Sequence, residues 1–238
     1  MMFDVTQSLL VETKRLEKTY SLGEVPFRAL AGVDFTAGRG EFVAILGKSG
    51  SGKSTLLNLV TGTDQPTAGT VEVAGTDITR LSQSELARFR ATQVGLVFQF
   101  RQLLPTLTAV ENVMLPAEFA GVGTPASRRA RALELLDRLE VADQADKLPA
   151  SLSGGQQQRA AIARALMNDP CLVAADEPTG NLDSATAERT LSLFRDLADD
   201  GTTVLMVTHE RDVSAWADRT VTITDGQITS ATLETKGA

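Results

Sequence analysis

The chain has 238 residues, which is enough for one large domain or two small ones with a buried core. Hydrophobic residues make up 42% and charged residues 22%, a balance that excludes both a disordered tail and a bundle of membrane helices. The net charge of -7 argues against a nucleic-acid-binding protein, so no nucleic acid is expected among its partners.

Targeting signals are the next feature that the sequence can test. The N-terminal segment lacks the apolar stretch of a signal peptide, and no run approaches the roughly 20 apolar residues of a membrane span. The single cysteine, Cys171, gives no support for a disulfide framework. We therefore expect a soluble, cytoplasmic chain, and any role at the cell membrane must come through a partner.

The first part of the chain predicts strands followed by a helix. Short β-type runs alternate with turn signals over residues 9–42. The apolar run 41–46 then predicts a buried strand that stops at Gly47. Residues 55–60 predict a helix that ends near Gly62.

The rest of the chain alternates predicted helices and strands. Ser82 and Glu85 form a capping-box pattern, which predicts a helix start. The spacing of apolar residues predicts further helices over 128–140, 156–167 and 184–199. Short apolar runs predict strands over 171–175, 203–208 and 220–224, and the last is followed by an Asp225-Gly226 turn. This alternation predicts an α/β protein with a parallel sheet covered on both faces.

A glycine-rich loop lies between the predicted strand 41–46 and the predicted helix 55–60. Glycines let backbone N–H groups close around phosphate oxygens, and the dipole of the following helix favours an anion. In this pattern Lys53 can reach the β- and γ-phosphates, and the Ser54 hydroxyl can bind Mg²⁺. The alternative is a structural turn, but the flanking strand and helix favour nucleotide binding. The loop consists of Gly47, Lys48, Ser49, Gly50, Ser51, Gly52, Lys53, Ser54 and Thr55.

Two acidic residues, Asp176 and Glu177, follow the apolar run 171–175. In α/β proteins, ligands bind at the carboxyl ends of the strands, where this pair is predicted to lie. Asp176 can hold Mg²⁺ directly or through water, and Glu177 can polarise an attacking water. The alternative is an acidic pair that caps a helix in the turn before Pro178.

A second pair of glycines precedes a predicted helix in the segment Leu152-Ser153-Gly154-Gly155-Gln156, which makes it a second candidate anion site. A glycine-rich helix start without a function is the alternative. This segment resembles the signature sequence of the ATP-binding cassette (ABC) family, and the loop, the signature and the acidic strand follow the family's order and spacing. The resemblance covers about residues 9–228.

The resemblance implies the fold of the family, which is a P-loop NTPase core. Its mostly parallel sheet is flanked by helices and is accompanied by an N-terminal antiparallel β part and a helical subdomain. We expect a single domain over residues 1–238, with the α/β core in 1–98 and 166–238. The helical subdomain is expected over 99–165, as an insertion into that core.

The resemblance assigns roles to four further residues. Tyr20 corresponds to the aromatic residue that stacks on adenine, and Gln99 to the glutamine that meets Mg²⁺ and the attacking water. Asp183 belongs to the loop through which two nucleotide sites communicate, Asn181-Leu182-Asp183, and it can also cap the next helix. His209, the only histidine, corresponds to the switch histidine that contacts the γ-phosphate. The alternatives are a strand-face tyrosine, a surface glutamine and a structural histidine.

The family also implies that two copies of the chain share each nucleotide. One chain carries one phosphate loop and one signature, which belong to different composite sites of a head-to-tail dimer. The γ-phosphate needs positive potential on both sides, and the second helix N-terminus supplies it only when another chain docks. Glu177 is the expected base, with His209 and Gln99 as the other catalytic residues. Mg²⁺ is expected on Ser54, Gln99 and Asp176, and ATP is expected to be bound in trans by Ser153, Gly154, Gly155, Gln156 and Asp183.

Two segments, at residues 104–113 and 176–183, are similar to the corresponding segments in one branch of the family. This branch includes lipoprotein-release, macrolide-export and cell-division ATPases, which implies a polytopic membrane permease as a partner. The permease is expected to dock at residues of about 100–120. The apolar residues there are equally compatible with an ordinary core: Leu103, Leu104, Leu107, Val113, Leu115 and Phe119. The alternative function is a soluble ATPase of the same superfamily, such as a scaffold in iron–sulfur assembly.

Overall fold

The computed structural model describes residues 8–22, 25–99, 102–180, 182–209 and 211–233. Within these ranges ten strands form a four-stranded and a six-stranded sheet, and six α-helices pack around them, which confirms the predicted α/β fold class. The strands are β1 Leu9–Leu22, β2 Val25–Gly38, β3 Phe42–Leu46, β4 Ala68–Val73, β5 Thr76–Asp77, β6 Val94–Phe98, β7 Leu172–Asp176, β8 Thr203–Thr208, β9 Arg219–Thr224 and β10 Gln227–Leu233. The helices are α1 Lys53–Val60, α2 Gln83–Gln93, α3 Ala109–Ala120, α4 Pro125–Arg138, α5 Gly154–Ala165 and α6 Ser184–Asp199.

The six-stranded sheet has the order β10-β9-β3-β8-β7-β6. Of its five strand pairings, four are parallel, and the hairpin of β9 and β10 at one edge is antiparallel. The parallel strands are short and almost fully buried, as expected when helices cover both faces of a sheet. Each of them therefore ends at the same edge of the sheet.

The four-stranded sheet is antiparallel and has the order β2-β1-β4-β5. Its two long strands β1 and β2 have 14 residues each, so the β-type runs predicted over 9–42 are present but are longer than expected. Register shifts between the paired strands account for the difference in strand length. They let the two strands continue through positions where the β-type sequence pattern is interrupted. Residues 23–24, between the two strands, lie outside the described residues.

Capping residues explain where the helices begin. Helix α5 starts at Gly154, two residues earlier than the predicted 156–167, because Ser153 caps it in a capping box with Gln156. Helix α4 starts at Pro125, earlier than the predicted 128–140, because Thr124 caps it and a proline suits the first turn. The sequence analysis did not single out β4, β6, β10 or α3, which are short or weakly patterned.

Two hydrophobic cores lie on the two faces of the larger sheet. One core packs helices α3, α4, α5 and α6 against the sheet, and the other packs α1 and the four-stranded sheet against it. In the parts of the chain that the structure describes, no helix is both long enough and apolar enough to cross a membrane.

Asn112 organises the loop that leads into helix α3. It is fully buried, its Oδ1 accepts from the Leu104 N–H (2.7 Å), and its Nδ2 donates to the carbonyl oxygens of Leu104, Leu107 and Thr108 (3.1, 3.0 and 3.0 Å). One buried side chain thus binds several backbone groups of the loop.

We expect Asn112→Leu to lower the free energy of unfolding by about 3 kcal/mol, because it leaves these buried backbone groups without their partner. Urea denaturation of the purified variant measures the change. The control is Gln83→Leu, which places the same apolar side chain at an exposed helical position. An unfolding free energy of Asn112→Leu equal to that of the control would contradict this account of the loop.

Candidate functional site

The predicted site residues follow four neighbouring strands of the larger sheet. The phosphate loop follows β3, His209 follows β8, Asp176 ends β7, and Gln99 follows β6. These strands are parallel and adjacent in that order, so their carboxyl ends meet at one edge of the sheet. The fold thus brings together residues that lie far apart in the sequence.

The phosphate loop is shaped by close backbone contacts. Gly52, just before helix α1, has a φ of 106°, and a Cβ atom there would lie 2.6 Å from the carbonyl oxygen of Ala29. Only glycine fits this position without strain. Lys53 begins the helix, and its Nζ donates to the carbonyl oxygens of Gly47 (2.8 Å) and Lys48 (3.0 Å). The lysine ammonium group is therefore held over the loop that would cradle phosphates.

Ser54 and Asp176 face each other across the site. The Ser54 hydroxyl donates to Oδ1 of Asp176 at 3.2 Å. Burial raises the pKa of the Asp176 carboxyl above its ordinary value, although the hydrogen bond from Ser54 opposes the rise. A hydroxyl and a partly buried carboxylate are oxygen ligands of the kind that Mg²⁺ prefers, and a cation would stabilise the carboxylate charge. The residues present therefore fit a magnesium ion.

Glu177 leaves strand β7 through a sharp turn of the backbone. Its φ of 49° lies in the left-handed region, where a non-glycine residue persists only when its surroundings impose the conformation. The Glu177 N–H donates to the carbonyl oxygen of Val207 in the neighbouring strand (2.9 Å). Its Oε2 lies 2.6 Å from Nδ1 of His209, so the predicted base and the predicted switch histidine are in direct contact.

Gln99 reaches the same place from strand β6. A Cβ atom at Gly180 would lie 3.3 Å from Nε2 of Gln99 and 3.5 Å from Oε2 of Glu177, so the glycine leaves room for both side chains. Together with the phosphate loop, Gln99, Asp176, Glu177 and His209 line a cavity of about 290 Å³. The structure thus collects in one cavity all the residues that were predicted for metal binding and catalysis.

Two residues of this cavity were missed by the sequence analysis. Phe27 and Ala29 of strand β2 also line it, and Phe27 is 48% exposed. Phe27 pairs with Tyr20 across the β1–β2 hairpin. No signal in the sequence pointed to Phe27, because its place in the cavity depends on this strand register.

Tyr20 itself lies on strand β1 beside the phosphate loop. Its hydroxyl donates to Oδ2 of Asp64 at 2.9 Å. Burial raises the pKa of the Tyr20 hydroxyl, and Asp64 adds to the rise, while Thr55 of the loop opposes it. Tyr20 and Thr55 are therefore close to each other at the end of the loop, although Tyr20 is not among the residues that line the 290 Å³ cavity.

The signature and Asp183 lie together but away from this cavity. A Cβ atom at Gly155 would lie 3.1 Å from Cγ2 of Thr186, so the start of helix α5 packs beside the start of helix α6. Oδ1 of Asp183 accepts from the Thr186 N–H at 3.0 Å, which shows that Asp183 does cap helix α6. Asn181, the first residue of the predicted communication loop, lies outside the described residues.

A second cavity of about 840 Å³ is also lined by the phosphate loop and His209, together with Ser214 and residues of strand β9. As far as the described residues go, neither this lining nor that of the 290 Å³ cavity includes Asp183 or any residue of 153–156. The predicted site residues therefore fall into two separate groups, here called the two half-sites: the phosphate loop with the residues predicted for catalysis, and the signature with Asp183.

Comparison with known proteins gives the family. The profile of the ABC transporter family matches residues 30–180, more than half of the chain. The chain belongs to the ABC transporter family. A solved ATP-binding cassette, a dimer in a post-hydrolysis state with ADP and Pi, superposes on it with a TM-score of 0.88. That structure is 43% identical and covers 94% of this chain and 99% of its own.

Curated relatives place the cassette in one branch of the family. It is 47% identical over 222 residues to the lipoprotein-releasing system ATP-binding protein of Caulobacter vibrioides, covering 93% of this chain and 95% of that protein. It is also 47% identical over 221 residues to the macrolide export ATP-binding/permease protein of Syntrophobacter fumaroxidans, covering 92% of this chain. The cassette spans only 31% of that longer protein. These findings confirm the resemblance to the lipoprotein-release and macrolide-export branch.

Proposed function

We propose that the cassette hydrolyses ATP as one half of a head-to-tail dimer and drives a membrane permease. The single observation that carries the dimer is the separation of the two half-sites within one chain. A signature that does not line the phosphate cavity of its own chain can complete the site of a second copy. In this arrangement Ser153, Gly154, Gly155, Gln156 and Asp183 contact the nucleotide held by the partner's loop.

The geometry supports hydrolysis by positioning and charge stabilisation. Lys53 and the backbone of residues 47–55 hold the phosphates, with the helix dipole of α1 directed at them. Glu177 accepts the proton of a water that attacks the γ-phosphorus as the bond to the bridging oxygen of ADP breaks. His209 holds the Glu177 carboxylate and faces the γ-phosphate, and Gln99 orients the water. The products are ADP and phosphate.

Mg²⁺ is proposed as the metal of this reaction. Ser54, Asp176 and Gln99 would hold it, because they bring a hydroxyl, a carboxylate and an amide to the phosphate cavity. When bound, the ion neutralises charge on the β- and γ-phosphates. Tyr20 is proposed to stack on the adenine, since it lies near Thr55 at the end of the loop.

A groove at the junction of helices and sheet is the proposed docking site of the permease. It has a volume of about 430 Å³ and is lined mainly by α2, β6, α3 and α5, with Phe98, Pro116 and Phe119 among its apolar residues. Phe119 is 80% exposed and Leu104 is 46% exposed, whereas Val113 is fully buried in the core. The predicted stretch 100–120 thus divides between exposed residues and core, and Phe100 and Arg101 lie outside the described residues.

The proposed location follows from this partner. The cassette would lie on the cytoplasmic face of the cell membrane, held there by the permease. The helical region 99–165, which the sequence predicts to be a subdomain, would carry the motion of dimer closure to the groove. The curated relatives favour a permease of the lipoprotein-release or export type over a soluble iron–sulfur scaffold.

We expect Phe119→Glu to abolish capture of the permease, because it places a charge on the most exposed apolar side chain of the groove. The bait is the tagged chain with Glu177→Gln and ATP, incubated with detergent-solubilised membranes, and mass spectrometry identifies the retained protein. The control is Leu233→Glu, since Leu233 is 79% exposed but lies at the far edge strand. Capture of soluble assembly proteins, or of a permease that both variants retain, would contradict the proposed docking.

A further inference from the structure

A lysine and an aspartate enclose the side chain of Tyr20. Nζ of Lys18 lies 2.7 Å from Oδ1 of Asp64, and the Tyr20 hydroxyl donates to Oδ2 of the same carboxylate at 2.9 Å. The Lys18 ammonium also lies 4.8 Å from the centre of the Tyr20 ring. The three side chains therefore form a closed cluster, here called the tyrosine clamp, in which each member contacts the other two.

The tyrosine clamp is fixed to the backbone on both sides. Lys18 also donates to the carbonyl oxygen of Gln65 (2.7 Å), and the N–H of Gln65 donates to Oδ1 of Asp64 (2.7 Å). The N–H of Asp64 donates to the carbonyl oxygen of Asn58 in helix α1 (3.1 Å). Because α1 is the helix that begins in the phosphate loop, the clamp connects the tyrosine ring to the element that holds the phosphates.

The Asp64 carboxylate of the clamp stays charged near neutral pH. Burial pushes the pKa of the Asp64 carboxyl upward, but hydrogen bonds from Lys18, Gln65 and Tyr20 outweigh it and hold the pKa below its ordinary value. The side chains of Lys18 and Asp64 are only 13% and 31% exposed, so the ion pair is partly shielded from water. The tyrosine hydroxyl thus has a permanent anionic acceptor.

We propose that Lys18 and Asp64 are positioning residues that hold the Tyr20 ring as a rigid platform for the base of the nucleotide. This inference rests on the proposed stacking of Tyr20 on adenine. The ammonium group lies over the ring, so the base stacks on the part of the ring that the lysine leaves open. A ring whose rotation is already restricted loses little conformational entropy when a base stacks on it.

Two consequences separate this role from a general contribution to stability. The clamp acts on the base and is remote from the attacking water, so its loss raises KM for ATP and leaves kcat within about twofold. A ligand without a base gains nothing from the platform, so the affinity for inorganic triphosphate does not depend on the clamp.

The test compares Asp64→Ala with the wild type by measuring the Kd for ATP and for inorganic triphosphate. We expect the Kd for ATP to be about fivefold higher, which is the effect of losing one aromatic stacking interaction. The Kd for triphosphate should be unchanged. The second variant is Tyr20→Phe, which keeps the ring and removes only the hydroxyl that Asp64 accepts; it should weaken ATP binding in the same direction. Asp64→Asn, which retains an acceptor oxygen, should restore most of the affinity.

The matched control is Glu17→Ala, which removes an ion pair with Arg28 from the same sheet, with no contact to Tyr20 in the described structure. In a Tyr20→Ala background, Asp64→Ala should cause no further loss of ATP affinity, because the platform is already absent. Thermal unfolding establishes that each variant is folded.

Three results would overturn the inference: a folded Asp64→Ala with wild-type affinity for ATP, an equal loss of triphosphate affinity, or a full additional loss in the Tyr20→Ala background. A different result would count against the proposed base stacking. If Tyr20→Ala alone binds ATP like the wild type, Tyr20 does not contact the base. Lys18 and Asp64 then cannot contribute to ATP binding by positioning the tyrosine ring.

Discussion

Glu177→Gln is expected to lower kcat for ATP hydrolysis by about 10²–10⁴-fold, the usual contribution of a positioned general base. The amide has the size of the carboxylate and keeps an oxygen for contact with Nδ1 of His209, but it cannot take the proton of the attacking water. Binding of ATP does not depend on that proton transfer. The variant should therefore bind ATP with nearly wild-type affinity and accumulate as an ATP-bound dimer.

Steady-state phosphate release measures the loss, and size-exclusion chromatography with and without ATP measures the dimer. The control is Glu188→Gln, the same substitution at an exposed position of helix α6, which should hydrolyse ATP at the wild-type rate. Hydrolysis by Glu177→Gln at more than a tenth of the wild-type rate would show that another group removes the proton. In that case the contact between His209 and Glu177 would need a different explanation.

The second large effect is expected for Ser153→Arg, which should lower the rate of ATP hydrolysis by at least about 10²-fold. Ser153 caps helix α5 at an exposed position, and its chain segment is expected to face the γ-phosphate bound by the second copy. A bulky arginine there blocks close approach of the helix N-terminus. Phosphate release by the purified variant gives the rate.

The loss of a helix cap must be separated from the loss of the composite site. Ser82→Arg is the matched control, because Ser82 caps helix α2 through the same kind of capping box but lies on another surface. Ser82→Arg should lower the free energy of unfolding by a similar amount, about 1 kcal/mol, and leave the rate of ATP hydrolysis unchanged. Equal losses of activity in both variants would mean that Ser153 acts only as a cap.

A mixing experiment tests directly whether the site is shared between two chains. Lys53→Met inactivates the phosphate loop and leaves the signature intact, while Ser153→Arg does the reverse. In an equal mixture half of the dimers are mixed, and each contains one complete composite site, so activity should recover to about a quarter of the wild type. If each chain used its own signature, the mixture would be as inactive as its components.

The catalytic edge of the sheet could be predicted because it depends on local sequence. The runs 41–46 and 171–175 are short and apolar and stop at Gly47 and Asp176, whereas β6 was not predicted as a strand and Gln99 after it was placed by the family resemblance. Parallel strands with helical connections end at the same edge, so the motifs at their ends had to meet. The separation of the signature from that edge followed from the family resemblance, and the structure shows it in a single chain.

Other features could not be read from the sequence because they depend on register and packing. Phe27 lines the phosphate cavity only because strands β1 and β2 pair so that it lies opposite Tyr20. The apolar stretch around 100–120 contains both Val113, which is buried, and Phe119, which is exposed, and helical spacing alone does not tell the two faces apart. Asp64 lies in a loop for which no function was predicted, and it contacts Tyr20 only in the tertiary fold.

The short connection between Glu177 and Asp183 has a mechanical meaning. Only five residues separate them, and both ends are anchored, Glu177 to strand β8 and Asp183 to the first turn of helix α6. So short a tether has almost no slack. In the proposed dimer, a second copy that contacts Asp183 would displace a segment that leads directly to Glu177, so a change at one nucleotide site would be transmitted to the other.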